Sequence, residues 1–439
     1  MKFFFPDAQD LVDPSFDFDT ERRAADRIRQ RDDLYAHEVF REPVCDGLLV
    51  SKGIVDAVGE GTGRYSMAQR QRLLRHGVRA FFRVDSGPRS TMPIMGDCGA
   101  FTYVKEEQPP FAVPEVVDFY RECRFDLGIS VDHVILAYDE SWDDPGLLGD
   151  PVPPPIRHRQ DLTLEYAREF LECTETGRTC FEPVGVAQGW SPRSYASAVD
   201  SLQKMGYRYV ALGGMVPLKT PQILASLRAI DELRRPETHL HLLGVTRASE
   251  IDAFAGLGVV SFDSTSPLRQ AFKDDRDNYY MPDGSTRVAI RVPQVESNPR
   301  LARRIRSGEV NQDVAREHER RCLRMLRDYD AERCTVEDVV TCLRDYEELF
   351  DQGHDRSATY AAILRERPWR SCGCEVCRQL GYHVILFRGA ERNRRRGFHN
   401  LWVFYRRLQR HLKAPPTRSE RPSARAVSEK SPGRRRRAS

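Results

Sequence analysis

Residues 183–214 read PVGVAQGWSPRSYASAVDSLQKMGYRYVALGG, and this stretch decides the fold. Two short apolar runs, PVGVAQG and YVALGG, flank an amphipathic segment that starts at Ser191-Pro192 and ends at Gly206. A Ser-Pro start and a Gly end are typical of the two ends of a helix. Apolar runs without strict alternation are typical of strands buried on both faces of a parallel sheet. The stretch therefore predicts one strand, helix and strand unit.

Similar apolar runs recur along the first two thirds of the chain. They are GLLVSK from Gly47, AFFRVD from Ala80, PIMGDCGAF from Pro93, HVILAYDE from His133, HLHLLGV from His239 and VVSFDST from Val259. Together with the first two runs they make eight strand candidates, and the later ones alternate with helical patterns. This pattern predicts an α/β fold of the (β/α)8 TIM barrel type. A doubly wound sheet is the rival, but no GxGxxG follows the first strand candidate.

Composition narrows the class of protein. The chain has 439 residues, of which 40% are hydrophobic and 30% charged, and a net charge of +3. No segment approaches the roughly 20 apolar residues of a membrane span. The opening MKFFFPD lacks the apolar core of a signal peptide. We therefore expect a cytoplasmic protein without membrane contact, whose scattered cysteines are reduced.

The alternation of strand and helix patterns ends after Pro267, and other sequence patterns follow. NYYMPDGSTRVAIRVPQ predicts a hairpin that turns at Pro-Asp-Gly, and a charged helical stretch comes next. The predicted organisation is an N-terminal extension at 1–44, a barrel at 45–297, a helical insertion at 298–367, a zinc-binding subdomain at 368–412 and a disordered basic tail at 413–439.

Three cysteines lie close together in the C-terminal region. Cys372, Cys374 and Cys377 form C-x-C-x2-C, which can place three thiolates around one tetrahedral zinc ion. His383 and His399 are the two candidates for a fourth ligand. His383 lies in an apolar, strand-like run typical of a structural histidine. His399 lies at a predicted helix start, from which it can reach the cysteines, so His399 is preferred. Four protein ligands predict one structural zinc per chain.

The predicted barrel strands end in polar groups or glycine. These are Asp97, Asp139, Gln188, Gly213 with Gly214, and Asp263. In a barrel the carboxyl ends of the strands meet at one face, where active sites form. A single aspartate at such a place can equally cap a loop, but five polar or glycine strand ends favour a site.

Seven motifs in order identify a resemblance. They are DCGAF from Asp97, YDE around Asp139, QGW from Gln188, GGMV from Gly213, LGVT from Leu243, FDSTSPLR around Asp263, and the cysteine cluster with His399-Asn400-Leu401. All seven are similar to motifs of the tRNA-guanine transglycosylases, which exchange guanine for a 7-deazaguanine base. The resemblance covers about residues 45–290 and 366–410. Three further features resemble the DpdA-type branch of the family. They are DCGAFT in place of DSGGFQ, the opening MKFFFPD and the extra helical stretch. That branch inserts the 7-deazaguanine preQ0 into DNA within a DNA-modification gene cluster.

The resemblance implies a role for each matching residue. Asp263 would be the nucleophile of a covalent glycosyl-enzyme, and Asp97 the general acid and base. The base would contact Phe101, Asp139, Gln188, Gly213, Gly214, Met215 and Leu243. DNA phosphates would contact the basic stretch near the zinc site, namely Arg388, Arg392, Arg394, Arg395, Arg396, Arg406 and Arg407.

Two alternatives remain open at this point. The first is a base exchanger that acts on tRNA, and the second is a nucleic-acid-binding subunit without catalysis. The acidic run from Lys273 to Asp277, which follows the nucleophile motif, favours DNA because it is a poor cradle for a tightly turned phosphate backbone. Retention of both Asp97 and Asp263 favours an enzyme. DNA, the preQ0 base and other proteins of a modification system are the expected partners.

Overall fold

A closed barrel of eight parallel strands forms the centre of the molecule. The computed structural model describes residues 1–58, 65–143, 152–176, 180–273 and 276–413. The barrel strands are β1 Lys2–Pro6, β2 Gly47–Ser51, β3 Ile94–Asp97, β4 Leu127–Ile129, β5 Glu182–Ala187, β6 Tyr209–Leu212, β7 His239–Leu242 and β8 Val259–Asp263. The predicted TIM barrel class is therefore confirmed.

Helices cover the outside of the barrel and build the C-terminal region. Around the barrel they are α1 Ala36–Val39, α2 Lys52–Val55, α3 Met67–Phe81, α4 Val113–Cys123, α5 Pro154–Thr176, α6 Pro192–Met205, α7 Thr220–Leu233, α8 Ile251–Gly256 and α9 Ser266–Gln270. Helix α6 begins and ends as predicted, since Ser191 caps it through the Ser194 N–H and Gly206 ends it with a φ of 116°. No helix in the described ranges is long and apolar enough to cross a membrane.

The first barrel strand lies in the segment predicted as an N-terminal extension. MKFFFPD forms β1, which pairs in parallel with both β2 and β8, so that Phe3 lies opposite Phe262. Phe3 and Phe4 are buried, which explains the aromatic run. The barrel therefore begins at residue 2, and the predicted boundary at 45 is wrong.

Two of the predicted strands are also wrong. AFFRVD is the end of α3 and the turn after it, and its two phenylalanines are buried in the core. HVILAYDE follows β4 without pairing to a neighbouring strand, although Val134 and Ile135 are buried. The fourth strand is instead Leu127–Ile129, which ends four residues before that run begins.

Two apolar clusters divide the barrel into inside and outside. Phe4, Leu49, Met95, Ile129, Val184, Val186 and Ala211 belong to the cluster that fills the interior. The larger cluster joins the outer faces of the strands to the helices and continues into the C-terminal region. The filled interior leaves the carboxyl ends of the strands as the face on which a pocket can form.

The C-terminal region packs on the outside of the barrel, where Phe404 of its last helix contacts Phe3 and Phe262. The predicted hairpin is present as β9 Tyr279–Tyr280 and β10 Thr286–Arg287, and a parallel pair joins β11 Ile290–Arg291 to β12 Leu386–Phe387. The helices that follow are α10 Pro299–Arg306, α11 Gln312–Asp330, α12 Val336–Glu347, α13 Ser357–Glu366, α14 Pro368–Ser371, α15 Glu375–Leu380 and α16 Gly389–Lys413. Helix α16 packs on α9, directly after the last barrel strand. The predicted disordered tail at 413–439 lies outside the described residues except for Lys413.

Candidate active site

A pocket of about 390 Å³ opens at the carboxyl ends of the barrel strands. Its volume is within the range of small-molecule sites. Seven of the predicted site residues line it, namely Asp97, Phe101, Gln188, Gly213, Gly214, Leu243 and Asp263. Strands that are far apart in sequence thus bring the two predicted catalytic carboxylates and most of the predicted base contacts to one cavity.

Asp263 ends β8, and two donors hold one of its oxygens. Oδ1 accepts hydrogen bonds from the Gly244 N–H at 2.9 Å and from His241 Nε2 at 3.2 Å. The side chain is nearly buried, but it still lines the pocket. A fixed carboxylate that faces a cavity is suited to nucleophilic attack on a bound substrate.

Asp97 ends β3 on another side of the same pocket. The pKa of its carboxyl is raised to about 7, first by burial and then by the nearby carboxylates of Asp132 and Asp263, while hydrogen bonds from Gly99 and Ser51 oppose the shift. A carboxyl whose pKa is near neutrality can both give and take a proton at physiological pH. Asp97 therefore has the properties of a general acid and base.

Asp139 does not reach the pocket, which corrects its predicted contact with the base. Its side chain is exposed, and Oδ1 accepts hydrogen bonds from the Ser141 N–H at 2.9 Å and the Ser141 hydroxyl at 2.7 Å. The hydroxyl and then the amide of Ser141 lower the pKa of this carboxyl. Asp139 caps a turn, which is the other role of an aspartate after an apolar run.

Asp132 takes the position expected for Asp139. It is 3% exposed and lines the pocket three residues after β4. Its Oδ2 accepts a hydrogen bond from Gln188 Nε2 at 2.6 Å, and its Oδ1 accepts one from the Cys98 thiol at 3.0 Å. Burial raises the pKa of the carboxyl, and the hydrogen bonds from Cys98 and Gln188 oppose the shift. This buried carboxylate is therefore the one that can contact a purine in the pocket.

Glycines allow the amide of Gln188 to lie against the pocket wall. A Cβ on Gly213 would lie 2.1 Å from Gln188 Nε2, and one on Gly214, whose φ is 71°, would lie 2.3 Å from the Ile135 carbonyl oxygen. Gln188 Oε1 in turn accepts a hydrogen bond from the Ile135 N–H at 3.1 Å. The GG pair is thus required by close packing. Met215 is fully buried and does not line the pocket, so its predicted base contact is not supported.

The cysteine cluster forms a candidate metal centre. Ligand atoms of Cys372, Cys374, Cys377 and His399 all lie within 4.8 Å of one another, and all four residues are buried. His399 Nδ1 is 3.7, 3.5 and 3.3 Å from the three sulfur atoms in chain order. A tetrahedral zinc with ordinary bond lengths requires N to S separations of about 3.6 Å. The residues therefore fit a metal ion, and His383 lies elsewhere, beside Asp19.

The other nitrogen of His399 is also engaged. Nε2 lies 2.8 Å from the Tyr280 carbonyl oxygen, so Nδ1 is the nitrogen left to bind a metal. The Tyr279 ring stacks on the imidazole with 4.3 Å between ring centroids. Such contacts fix the tautomer and orientation of a metal-binding histidine. They also connect the metal centre to the β9–β10 hairpin.

Comparisons with known proteins agree with this geometry. No family model matches the chain. The chain is 47% identical over 412 residues to a DNA-guanine transglycosylase of Salmonella montevideo, a match that covers 93% of this chain and 97% of the relative. The chain belongs to the guanine transglycosylase family. Members of this family are pentosyltransferases.

A more distant relative of this transglycosylase acts on another polymer. The chain is 27% identical over 217 residues to a tRNA-guanine(15) transglycosylase of Methanothermobacter thermautotrophicus. This match covers 47% of this chain and 29% of that relative. The match to the Salmonella protein thus extends over almost the whole of both chains, whereas the match to the archaeal protein covers a part of each.

Four of the predicted nucleic-acid-binding arginines are structural in this transglycosylase. The side chains of Arg388, Arg392, Arg395 and Arg396 are at most 6% exposed. Arg388 makes ion pairs of 2.7 Å with Glu21 and with Glu319. The role predicted for these four is therefore wrong. Arg388, Arg392 and Arg395 contact the N-terminal segment, and Arg388 also contacts the helical region. Arg394, Arg406 and Arg407 are partly exposed.

Arg396 is the most buried of these cations. It donates hydrogen bonds to the carbonyl oxygens of Ala271 at 2.7 Å and Leu386 at 2.9 Å, and to Asn393 Oδ1 at 2.7 Å. Burial lowers the pKa of its guanidinium to about 9. The side chain ties α16 to the segment after β8, so it positions the candidate metal centre relative to the barrel.

Two residues of the site were missed by the sequence analysis. Asp132 follows the apolar run from Phe125 to Val131, in the same way that Asp97 and Asp263 follow theirs, and that pattern could have found it. His241 lies on β7, two positions before the pocket residue Leu243, which directly follows that strand. A spacing of two places both side chains on the same face of an extended segment. Its partner Asp263 is on the neighbouring strand, and no local motif could show that contact.

Proposed function

We propose that this transglycosylase replaces guanine in DNA with the 7-deazaguanine base preQ0. The observation that carries the proposal is one pocket that holds Asp263 beside Asp97 and Asp132, in a chain matched over almost its full length by a DNA-guanine transglycosylase. The activity for which that relative is named supports DNA as the polymer and guanine as the base that is replaced. The choice of preQ0 rests on the resemblance to the DpdA-type branch.

The proposed reaction has two displacements at C1′ of the sugar. Asp263 Oδ2 attacks C1′ and the bond to guanine breaks, while Asp97 gives its proton to the departing base. The incoming base then loses a proton to Asp97 and attacks C1′, and the bond from C1′ to Asp263 breaks. Two inversions retain the configuration of the sugar. The pKa of Asp97 near 7 supports both of its roles.

Base selection is assigned to the wall formed by Asp132 and Gln188. The carboxylate of Asp132 can accept from N1–H and the exocyclic amine of guanine, and it repels the N1 lone pair of adenine. Phe101 is 52% exposed at the pocket rim, where its ring is free to stack on a base. Guanine and preQ0 share the same pairing edge, so one wall can bind both.

Zinc is proposed to be structural. Cys372, Cys374, Cys377 and His399 would hold it, and four protein ligands leave no position for a substrate. The ion would supply folding energy to the C-terminal region rather than chemistry at the pocket.

A target base must leave the DNA stack to reach this pocket. Once the four buried arginines are excluded, three predicted phosphate contacts remain on α16, namely Arg394, Arg406 and Arg407. Arg407 lies in a surface groove with Arg410 and His411, next to Ala248 of the loop that joins β7 to α8. Asp274 and Asp275, on which the preference for DNA partly depended, lie outside the described residues.

The decisive experiment supplies preQ0 and any partner proteins of the modification system to plasmid DNA and to total tRNA in parallel. Mass spectrometry of the nucleosides measures incorporation, and the Asp263→Asn protein is the control for chemistry at this site. We expect preQ0 in DNA with the native protein and none with the variant. Incorporation into tRNA alone would contradict the proposal and support the tRNA exchanger that the archaeal match favours.

A further inference from the structure

A chain of buried polar side chains continues from Asp263 into the barrel interior. His241 Nδ1 lies 2.7 Å from the Ser261 hydroxyl, and this hydroxyl contacts the hydroxyl of Tyr209. His241 and Ser261 are 0% exposed and Tyr209 is 8% exposed. These hydrogen-bonded side chains come from three neighbouring strands, β6, β7 and β8, below the pocket. Polar side chains are costly in a barrel interior, so this arrangement calls for a role.

The Asp263 carboxylate determines where the hydrogens lie along this row of hydrogen-bonded side chains. An ionised Asp263 can only accept, so His241 must present Nε2–H to Oδ1. In neutral imidazole Nδ1 is then an acceptor, and it takes the proton of the Ser261 hydroxyl. The Ser261 oxygen accepts in turn from the Tyr209 hydroxyl. Every group then has a partner, and no second buried charge is needed.

We propose that His241, fixed in this tautomer by Ser261 and Tyr209, is a positioning residue for the nucleophile. With the Gly244 N–H it occupies Oδ1, while Oδ2 has no hydrogen-bond partner among the residues that the structure describes. Oδ2 is therefore the oxygen that attacks the sugar. This inference rests on the proposed base exchange.

The same two donors favour the second displacement. When the incoming base attacks C1′, the bond from C1′ to Oδ2 breaks and its electron pair returns to the Asp263 carboxylate. Hydrogen bonds to an ionised carboxylate are stronger than those to an ester carbonyl. The His241 donor therefore stabilises the departing carboxylate more than the glycosyl ester. Its removal should slow the release of the intermediate and affect its formation much less.

Rapid-quench kinetics on a guanine-containing DNA strand test this role. For His241→Phe we expect adduct formation within about threefold of the native rate, but preQ0-dependent release about 10- to 100-fold slower, as for the loss of one positioned donor. The adduct should then accumulate at steady state, with the KM for preQ0 nearly unchanged. Ser261→Ala should show a smaller effect in the same direction, and His241→Gln should recover part of the release rate. His76→Gln, on the exposed face of α3, is the matched control.

Nitrogen NMR of the full-length protein tests the tautomer without activity. The chain has 11 histidines, so the His241 signals can be assigned by their loss in His241→Gln. We expect a protonated Nε2 and an unprotonated, hydrogen-bonded Nδ1, and Ser261→Ala should disturb Nδ1. A protonated Nδ1 would overturn the proposal, and so would native release rates in His241→Phe. The expected tautomer in a protein that forms no adduct with DNA would instead refute the proposed base exchange.

Discussion

Replacing Asp132 by Asn tests which carboxylate selects the base. The substitution keeps the volume of the side chain but turns one acceptor into an NH2 donor. In the pocket both oxygens of Asp132 already face donors, the Gln188 amide at 2.6 Å and the Cys98 thiol at 3.0 Å. The new NH2 must therefore point at a donor, and the purine N1–H and amine lose a charged acceptor.

The size of the effect follows from these contacts. A hydrogen bond to a buried charged group contributes about 1.5–3 kcal/mol, and an unpaired buried donor carries a penalty of similar size. A loss of about 3 kcal/mol in transition-state binding corresponds to a decrease on the order of 100-fold in kcat/KM. Asp139→Asn is the matched control, because an exposed Asn can still cap the turn at Ser141. We expect that control to stay within about twofold of the native protein.

The assay measures kcat/KM for guanine exchange in a DNA oligonucleotide, with thermal unfolding of each variant as the check on folding. A large loss in Asp139→Asn with a native rate in Asp132→Asn would refute the assignment of Asp132. Equal rates in all three proteins would show that neither carboxylate contacts the base.

Three further predictions concern the proton, the metal and the buried cation. Asp97 must be protonated in the free enzyme, and its pKa is about 7, so kcat/KM for DNA should fall about tenfold per pH unit above that value. A flat pH profile up to pH 9 would exclude Asp97 as the acid. Elemental analysis should find about one zinc per native chain, and the Cys374→Ser variant should bind no zinc and give little soluble protein. A well-folded native protein without metal would contradict the assignment. Arg396→Met should lower the free energy of unfolding by about 3 kcal/mol, with little change in DNA affinity, because it removes hydrogen bonds to four buried acceptors. Arg407→Met should instead weaken DNA binding with little change in stability, and the reverse pattern in denaturant and binding titrations would contradict both roles.

The parts of this structure that follow from local patterns could be predicted from the sequence. Three of the four candidate metal ligands lie within six residues of one another, and the strand and helix alternation around Gln188 predicts the barrel. AFFRVD was misassigned because a run of three apolar residues fits a helix end as well as a strand. MKFFFPD was missed because a strand of five residues at the start of a chain has no flanking pattern.

Tertiary contacts explain the remaining errors. The basic stretch of α16 has the composition of a nucleic-acid surface, but the acid that pairs with Arg388 and Arg392 is Glu21, more than 360 residues earlier. The prediction of Asp139 rests on a short motif, whereas the burial of Asp132 depends on how the segment after β4 folds back into the barrel. The pairing of His241 with Asp263 likewise depends on the register of two strands.

Identification of the residue bound to DNA tests the central claim most directly. The native protein is incubated with a guanine-containing DNA strand without preQ0, denatured and digested, and the modified peptide is sequenced by mass spectrometry. We expect a sugar attached to Asp263 in the native protein, and no adduct in Asp263→Ala. An adduct on Asp97, or one that persists in Asp263→Ala, would contradict it.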